Sequence, residues 1–192
     1  MKAQIWTVSN GLTSLRLLAA PFFYWAIVEE AWALAAALFW LAVLSDVIDG
    51  RVARARQETS AFGGVLDHGS DAIFVSLGHF ALLKSGTTPD LLPILILAAF
   101  LQYAFDSRIL SGQVLRASLI GRWNGVFYFI APGILVTREA LGLSIPPDSG
   151  IRAIGWLLLV STIVSMGDRL IAVVSTTWRR DRGGIPNPRD EI

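Results

Sequence analysis

The chain has 192 residues, of which 54% are hydrophobic and 16% are charged, and its formal net charge is +1. Soluble domains usually carry about a quarter charged residues, so this composition indicates a membrane protein. The chain lacks the clustered excess of lysine and arginine that nucleic-acid binding requires, so no nucleic-acid partner is expected. Cysteine is absent, which excludes disulfides and thiolate metal sites.

Long apolar segments recur along the chain and are separated by charged or turn-forming stretches such as "KSGTTPD" and "GLSIPPDSG". Since about 20 apolar residues cross a bilayer as a helix, they predict an all-α integral membrane protein with six transmembrane helices. The predicted helices cover residues 12–28, 32–54, 61–83, 91–105, 123–136 and 151–174. Residues 1–176 form the predicted membrane domain, and 177–192 a polar tail.

The distribution of basic residues predicts the orientation of these helices. Six spans place both termini on one side, and nearly all basic residues then lie at or near that side; Lys84, Arg138 and Arg152 are the exceptions. By the positive-inside rule this side is cytoplasmic, so we expect cytoplasmic termini and a cytoplasmic tail. The expected location is the cytoplasmic (inner) membrane of a bacterium.

Four aspartates lie where the second helix ends and the third begins, in the stretch "SDVIDGRVARARQETSAFGGVLDHGSD". At helical spacing, Asp46 and Asp49 share one stripe of the second helix with the small residues Gly50 and Ala53. On the third helix, Gly63, Asp67 and Asp71 are spaced i, i+4, i+8 and share another stripe. Two such helices are predicted to close around a common point, with the small residues leaving room for a ligand.

Acidic side chains are unfavourable in a membrane segment, by about 2.5–3.5 kcal/mol for each aspartate at a helix centre. A divalent cation would offset both this penalty and the repulsion among the carboxylates. Oxygen ligands suit Mg²⁺, Mn²⁺ or Ca²⁺. Either aspartate pair alone is more typical of a solvated helix end, but the two pairs together favour a metal site that handles phosphate.

The aspartate stretch resembles the signature of the CDP-alcohol phosphotransferases, D-x2-D-G-x2-A-R-x8-G-x3-D-x3-D. Every spacing is matched by this chain through Asp46, Asp49, Gly50, Ala53, Arg54, Gly63, Asp67 and Asp71. The "NGLTSLR" segment is also similar to the family's N-x-L-T-x-x-R pattern, through Asn10, Thr13 and Arg16.

The resemblance implies an enzyme that transfers a phosphatidyl or similar substituted phosphate group from a CDP-linked lipid donor, such as CDP-diacylglycerol, to an alcohol. CMP is released. It implies that the four aspartates hold a metal centre, with two ions of Mg²⁺ or Mn²⁺, and that Asp71 is the base that deprotonates the acceptor hydroxyl. The implied CDP pocket is lined by Gly50, Ala53, Arg54, Gly63, Asn10 and Thr13. Family members often form homodimers, so a homodimer is an expectation here.

The acceptor alcohol is left open by the sequence. Glycerol 3-phosphate is the leading candidate, and Arg108, Arg116 and Arg122 are candidate ligands for its phosphate, although each is equally typical of positive-inside topology. His68 follows Asp67 where bacterial phosphatidylglycerophosphate synthases usually carry proline, and "DHG-x-D" is similar to the ethanolamine and choline phosphotransferases. Inositol phosphate, serine, or diacylglycerol with a CDP-amino alcohol therefore remain alternatives.

Two other functional classes are weighed against the transferase. A cation transporter or channel predicts acidic residues spread through the membrane depth, whereas all four signature aspartates cluster near one face. A non-catalytic member predicts a degraded signature, whereas all eight positions are intact. His68 is interpreted as a packing residue or as a residue that supports a metal ligand, in preference to a ligand itself. His79 is interpreted as a hydrogen-bonded core histidine, and Asp168 with the adjacent Arg169 as a local ion pair.

Overall fold

The computed structural model of the chain describes residues 8–56, 61–106 and 119–182. These residues form α-helices joined by short turns, without a β-strand among them, which confirms the all-α prediction. The helices are α1 (Val8–Val28), α2 (Trp32–Arg56), α3 (Ala61–Leu82), α4 (Leu92–Asp106), α5 (Leu119–Phe127), α6 (Ile130–Ala140) and α7 (Asp148–Arg182).

One helical segment within the described residues, Asp148–Ile171, is long and apolar enough to cross a membrane by itself. Shorter apolar helical segments cover Thr13–Val28, Trp32–Ile48 and Leu92–Phe105. The helix at the end of the chain is longer than the sequence indicated, because α7 continues to Arg182 and so includes the first residues assigned to the polar tail. The six-span topology and its orientation stay predictions.

The helices pack so that α1 lies against both α2 and α3. Helix α2 also contacts α6, where Trp40 Nε1 donates a 3.0 Å hydrogen bond to Thr137 Oγ1. Helix α3 contacts α4, and both α4 and α5 contact α7. This arrangement brings the last turns of α2 and the first turns of α3 beside α1, which is where the signature residues lie.

An aromatic cluster fills the centre of the bundle away from the aspartates. The rings of Phe23 and Phe74 stack with centroids 4.6 Å apart, and Phe39 and Phe129 pack around them. Gly133 permits this packing, since a Cβ there would lie 2.6 Å from a ring carbon of Phe39. Aromatic burial of this kind dominates the energetics of a core and fixes the relative positions of α1, α2, α3 and α6.

The single helix predicted over residues 123–136 is two helices, α5 and α6, separated by Tyr128 and Phe129. Pro132 is the physical reason, because it has no N–H to donate to the carbonyl of Tyr128 four residues earlier. Pro132 instead occupies the first turn of α6, where a missing N–H is tolerated. The prediction of one uninterrupted helix was therefore wrong, although the segment is helical on both sides of the break.

His79 of α3 satisfies the carbonyl that Pro132 leaves without a partner. Its side chain is fully buried, and its Nε2 lies 3.0 Å from the backbone oxygen of Tyr128. Since a carbonyl only accepts, Nε2 carries the proton, and Nδ1 accepts from the hydroxyl of Thr88 at 3.0 Å in the neutral ring. The interpretation of His79 as a hydrogen-bonded core residue is confirmed.

Candidate active site

Three helices bring charged side chains to one point near the α2–α3 connection. Arg16 of α1 lies at its centre. Its Nη1 contacts Asp71 Oδ1 at 2.5 Å and Asp67 Oδ1 at 3.2 Å, and its Nη2 lies 3.3 Å from Asp46 Oδ1. The structure therefore brings Asp46 from α2 together with Asp67 and Asp71 from α3, as the two aspartate stripes predict.

Arg16 is buried although it is charged. Its side chain has no exposed area, whereas the side chains of Asp46, Asp67 and Asp71 are 43%, 34% and 22% exposed. Ser70 completes the environment, since its hydroxyl accepts a 3.3 Å hydrogen bond from Arg16 Nη1 and donates to the backbone oxygen of Asp67 at 2.8 Å. The carboxylates thus form the solvent-exposed side of the cluster, and the guanidinium forms its buried side.

The donor set of this cluster fits a divalent cation. Asp67, His68 and Asp71 each offer one ligand atom, and these atoms lie within 4.8 Å of one another. Three carboxyl groups surround one guanidinium in this cluster, and carboxylate oxygens are the ligands that Mg²⁺ and Mn²⁺ prefer. These residues are therefore suited to hold a metal ion, with Asp46 facing them across Arg16.

His68 lies closer to these ligand atoms than its interpretation as a packing residue implies. Its side chain is exposed, and its ring also meets the ring of Tyr103 of α4 edge-on, with centroids 5.7 Å apart. It is therefore placed both for packing and for contributing a nitrogen beside Asp67 and Asp71.

The remaining signature residues occupy the expected helices. Asp49, Gly50, Ala53 and Arg54 lie in the last two turns of α2, and Gly63 lies in the first turn of α3. Their side chains fall outside the described part of the structure, as does that of Asn10 in α1. Thr13 is buried one turn before Arg16 in α1, 1% exposed. The remaining signature residues therefore lie in the turns of α2 and α3 that adjoin the Arg16 cluster.

The candidate acceptor-binding arginines are only partly covered by the structure. Arg108 and Arg116 lie outside the described residues, and Arg122 is exposed on α5. The structure adds Arg169 of α7, whose guanidinium lies over the ring of Tyr103, 5.2 Å from its centroid. Its Nη2 approaches Gly121 so closely that a Cβ there would lie 2.6 Å away. Tyr103 thus links Arg169 to His68.

The expected ion pair between Asp168 and Arg169 is absent from the described residues, where Arg169 meets Tyr103 and Gly121 instead. Arg169 is engaged instead by the ring of Tyr103, whose centroid lies 5.2 Å from its guanidinium carbon. The Nη1 of Arg169 is buried and has no hydrogen-bond partner within the described part of the chain. A signal was present in the sequence, because Arg169 is a cation that lies between apolar stretches of the last predicted span, well away from the start of that span.

Comparison with known proteins adds an independent observation. A family described as CDP-alcohol phosphatidyltransferase matches residues 6–175 of this chain. The CDP-diacylglycerol–glycerol-3-phosphate 3-phosphatidyltransferase of Cereibacter sphaeroides is 32% identical over 146 residues, which cover 71% of this chain and 66% of that protein. The phosphatidylinositol phosphate synthase of Mycobacterium tuberculosis is 27% identical over 165 residues, covering 81% and 73%.

The human cardiolipin synthase (CMP-forming) is 37% identical to this chain over 90 residues. The match covers 46% of this chain and only 29% of the human protein. The matched region therefore spans less than a third of that longer relative, and the three relatives carry names with three different products.

Proposed function

This chain belongs to the CDP-alcohol phosphatidyltransferase family, and from that premise we propose that it transfers a phosphatidyl group from a CDP-linked lipid donor to an alcohol, with release of CMP. The observation that carries the proposal is the convergence of Asp46, Asp67 and Asp71, at the signature spacing, on one point of the bundle. The product belongs to phospholipid biosynthesis.

The aspartates of α2 and α3 are the proposed metal ligands, with Asp49 as the fourth. Mg²⁺ or Mn²⁺ bound there, as one or two ions, supplies positive charge that neutralises the diphosphate and makes CMP a better leaving group. The partial exposure of the three described carboxylates leaves one side of the cluster open to a substrate. Their arrangement on rigid helices holds the donor and acceptor in line.

Asp71 is the proposed base for the acceptor hydroxyl. Arg16 donates to its Oδ1 at 2.5 Å, and we assign the other oxygen, Oδ2, to the incoming hydroxyl. The basic role of Asp71 is assigned from its position beside the proposed metal site. Of the three described aspartates, Asp71 has the least exposed side chain, which suits a group that must meet the acceptor away from bulk water.

The CDP group is proposed to lie along the small residues of the signature. Gly50, Ala53, Arg54 and Gly63 occupy the helix turns next to the cluster, and Asn10 and Thr13 lie on the neighbouring α1. Small side chains allow a nucleotide to approach the helices closely, while Arg54 would pair with the diphosphate.

The proposed acceptor is an alcohol that carries a phosphate, with glycerol 3-phosphate as the leading candidate. Arg169 supports this, since its Nη1 is buried without a hydrogen-bond partner in the described part of the chain and its guanidinium is linked to His68 through Tyr103. Arg122 is exposed one residue after Gly121, against which Arg169 packs. Arg108 and Arg116 remain further candidates. Two of the similar proteins carry names with a phosphate-bearing acceptor or product of that kind.

The chain is proposed to reside in the bacterial cytoplasmic membrane with this site at the cytoplasmic face. Large apolar side chains cover the outward faces of the bundle, among them Leu18 at 66%, Phe22 at 62% and Leu157 at 71% exposure. Such surfaces are rare on soluble monomers and suit contact with lipid. A lipid donor could then enter from the bilayer while its CDP group meets the aspartates.

The proposal is tested by CMP release from purified protein in detergent. CDP-diacylglycerol and Mg²⁺ are supplied with one acceptor at a time: glycerol 3-phosphate, inositol phosphate, serine, or phosphatidylglycerol, with diacylglycerol and CDP-ethanolamine as a separate pair. We expect release with glycerol 3-phosphate and loss of release when a chelator is added. Folded protein that releases no CMP with any acceptor would contradict the proposal.

A further inference from the structure

Arg16 combines three properties that an ordinary surface ion pair lacks. Its side chain is completely buried, it comes from a different helix than Asp46, Asp67 and Asp71, and it contacts Oδ1 of Asp67 and Oδ1 of Asp71, two residues of the proposed metal site. Ser70 accepts a further hydrogen bond from it. The fold thus places a fixed positive charge inside the proposed metal site.

The positive charge of Arg16 has opposite effects on the carboxylates and on a bound metal ion. Without metal ions, Asp46, Asp67 and Asp71 repel one another, and a buried guanidinium among them offsets that repulsion. With metal ions, the same guanidinium is a like charge beside the cation and weakens its binding. The planar fork of arginine is what lets one side chain reach carboxylates of two helices.

We propose that Arg16 is a positioning residue that holds Asp46, Asp67 and Asp71 together before divalent ions bind and that lowers the affinity of the site for those ions. The inference rests on the proposed metal site. Arg16 does not itself bind the reacting groups; it acts through the carboxylates. A divalent ion held by Asp67 and Asp71 would compete with the contacts that Arg16 makes to these carboxylates.

The test is a titration of detergent-purified full-length protein with Mn²⁺ alone, in the absence of any CDP-lipid, with free Mn²⁺ followed by electron paramagnetic resonance. We expect Arg16→Gln to bind Mn²⁺ about tenfold more tightly than the wild type, since removing one unit charge roughly 5 Å from a divalent ion has an effect of that order even with the dielectric screening of water. Its melting temperature in chelator should fall, and the rise in melting temperature on adding Mn²⁺ should be larger than in the wild type.

Two further variants separate the effect of the Arg16 charge from the effect of its side-chain shape and from the effect of losing any buried arginine. Arg16→Lys keeps the charge, so its Kd for Mn²⁺ should stay within about threefold of the wild-type value. Arg138→Gln is the matched control, because Arg138 is also largely buried and pairs with two acids, Glu139 and Asp148, in the α6–α7 region. Its Kd for Mn²⁺ should be unchanged.

The double variant R16Q/D46N keeps the proposal testable if R16Q fails to fold. Removing one carboxylate together with the guanidinium restores the charge balance, so the double variant should fold and melt at a higher temperature than R16Q. If the double variant is as unstable as R16Q, the arginine contributes by packing alone and the proposal is overturned.

A folded R16Q that binds Mn²⁺ no more tightly than the wild type would also overturn the inference. Wild-type protein that binds no Mn²⁺ overturns both this inference and the proposed metal site. Wild-type protein that binds Mn²⁺ with the expected dependence on Arg16, yet releases no CMP, would contradict the proposed transferase activity and leave the role of Arg16 standing.

Discussion

His79 of α3 donates a hydrogen bond to the backbone carbonyl of Tyr128, 3.0 Å away, at the break between α5 and α6. The bond joins a buried side chain in the helix that carries Asp67 and Asp71 to the turn that sets the direction of α5. Tyr128 extends the connection, since its hydroxyl lies 2.8 Å from Thr162 Oγ1 of α7. One histidine therefore couples the site-bearing helix to two others.

Replacing His79 with alanine should destabilise the protein. The substitution leaves the carbonyl of Tyr128 and the hydroxyl of Thr88 without their buried partner and opens a cavity, so we expect a loss of about 2–4 kcal/mol in the free energy of unfolding. The measurement is thermal or denaturant unfolding in detergent. His68→Ala is the control, because the His68 side chain is exposed. Equal melting temperatures for His79→Ala and the wild type would disprove the structural role.

Replacing Asp71 with asparagine should abolish transfer while leaving the fold intact. The amide cannot accept the proton of the acceptor hydroxyl, so CMP release should fall by at least about 100-fold. Asp90→Asn is the matched control, since Asp90 is an exposed aspartate outside the cluster, on the α3–α4 connection. Retention of wild-type CMP release in Asp71→Asn would remove Asp71 from the role of base.

Replacing Arg169 with alanine should weaken binding of a phosphate-bearing acceptor. A charge-assisted hydrogen bond from a guanidinium to phosphate is strong, so the KM for glycerol 3-phosphate should rise about 10- to 100-fold with a smaller change in the KM for CDP-diacylglycerol. Initial rates of CMP release measure both constants. Arg152→Ala provides the comparison, since Arg152 donates to the backbone oxygen of Gly86 at 2.8 Å in another loop. Equal rises in both KM values would argue against an acceptor-specific role.

Replacing Gly133 with alanine should destabilise the aromatic core. The added Cβ would lie 2.6 Å from a ring carbon of Phe39, so the ring must shift, and we expect a loss of about 1–3 kcal/mol in the free energy of unfolding. Gly125→Ala is the matched control, because a Cβ at Gly125 meets nothing within 4 Å, and it should be neutral or slightly stabilising. The same unfolding measurement applies, and the idea fails if both variants melt alike.

The sequence predicts much of the site because Asp46 and Asp49 on α2, and Asp67 and Asp71 on α3, are each spaced at the helical period. Residues on one stripe of a helix face one direction, and the structure brings Asp46, Asp67 and Asp71 of the two stripes together. The central position of Arg16 was not predictable in this way, because it depends on how α1 packs against α2 and α3. Periodicity describes one helix and carries no information about which helix lies beside it.

The break between α5 and α6 illustrates a different limit. Pro132 was visible in the sequence, yet the run of residues 123–136 around it carries no charged residue and predicts one uninterrupted helix. Whether a proline interrupts such a helix depends on whether another group can satisfy the freed carbonyl. Here that group is His79, which lies 49 residues away in sequence, so only the tertiary structure shows the partner.

The position of Arg16 in the first helix has a consequence for biosynthesis. Helix α1 leaves the ribosome before its partners, and Asp67 and Asp71 follow 51 and 55 residues later. An arginine inside an apolar segment opposes insertion by about 2.5–3.5 kcal/mol until an opposite charge arrives. In the proposed membrane setting, stable insertion of α1 therefore waits for translation of α2 and α3, so that these three helices enter the bilayer as one cooperative unit.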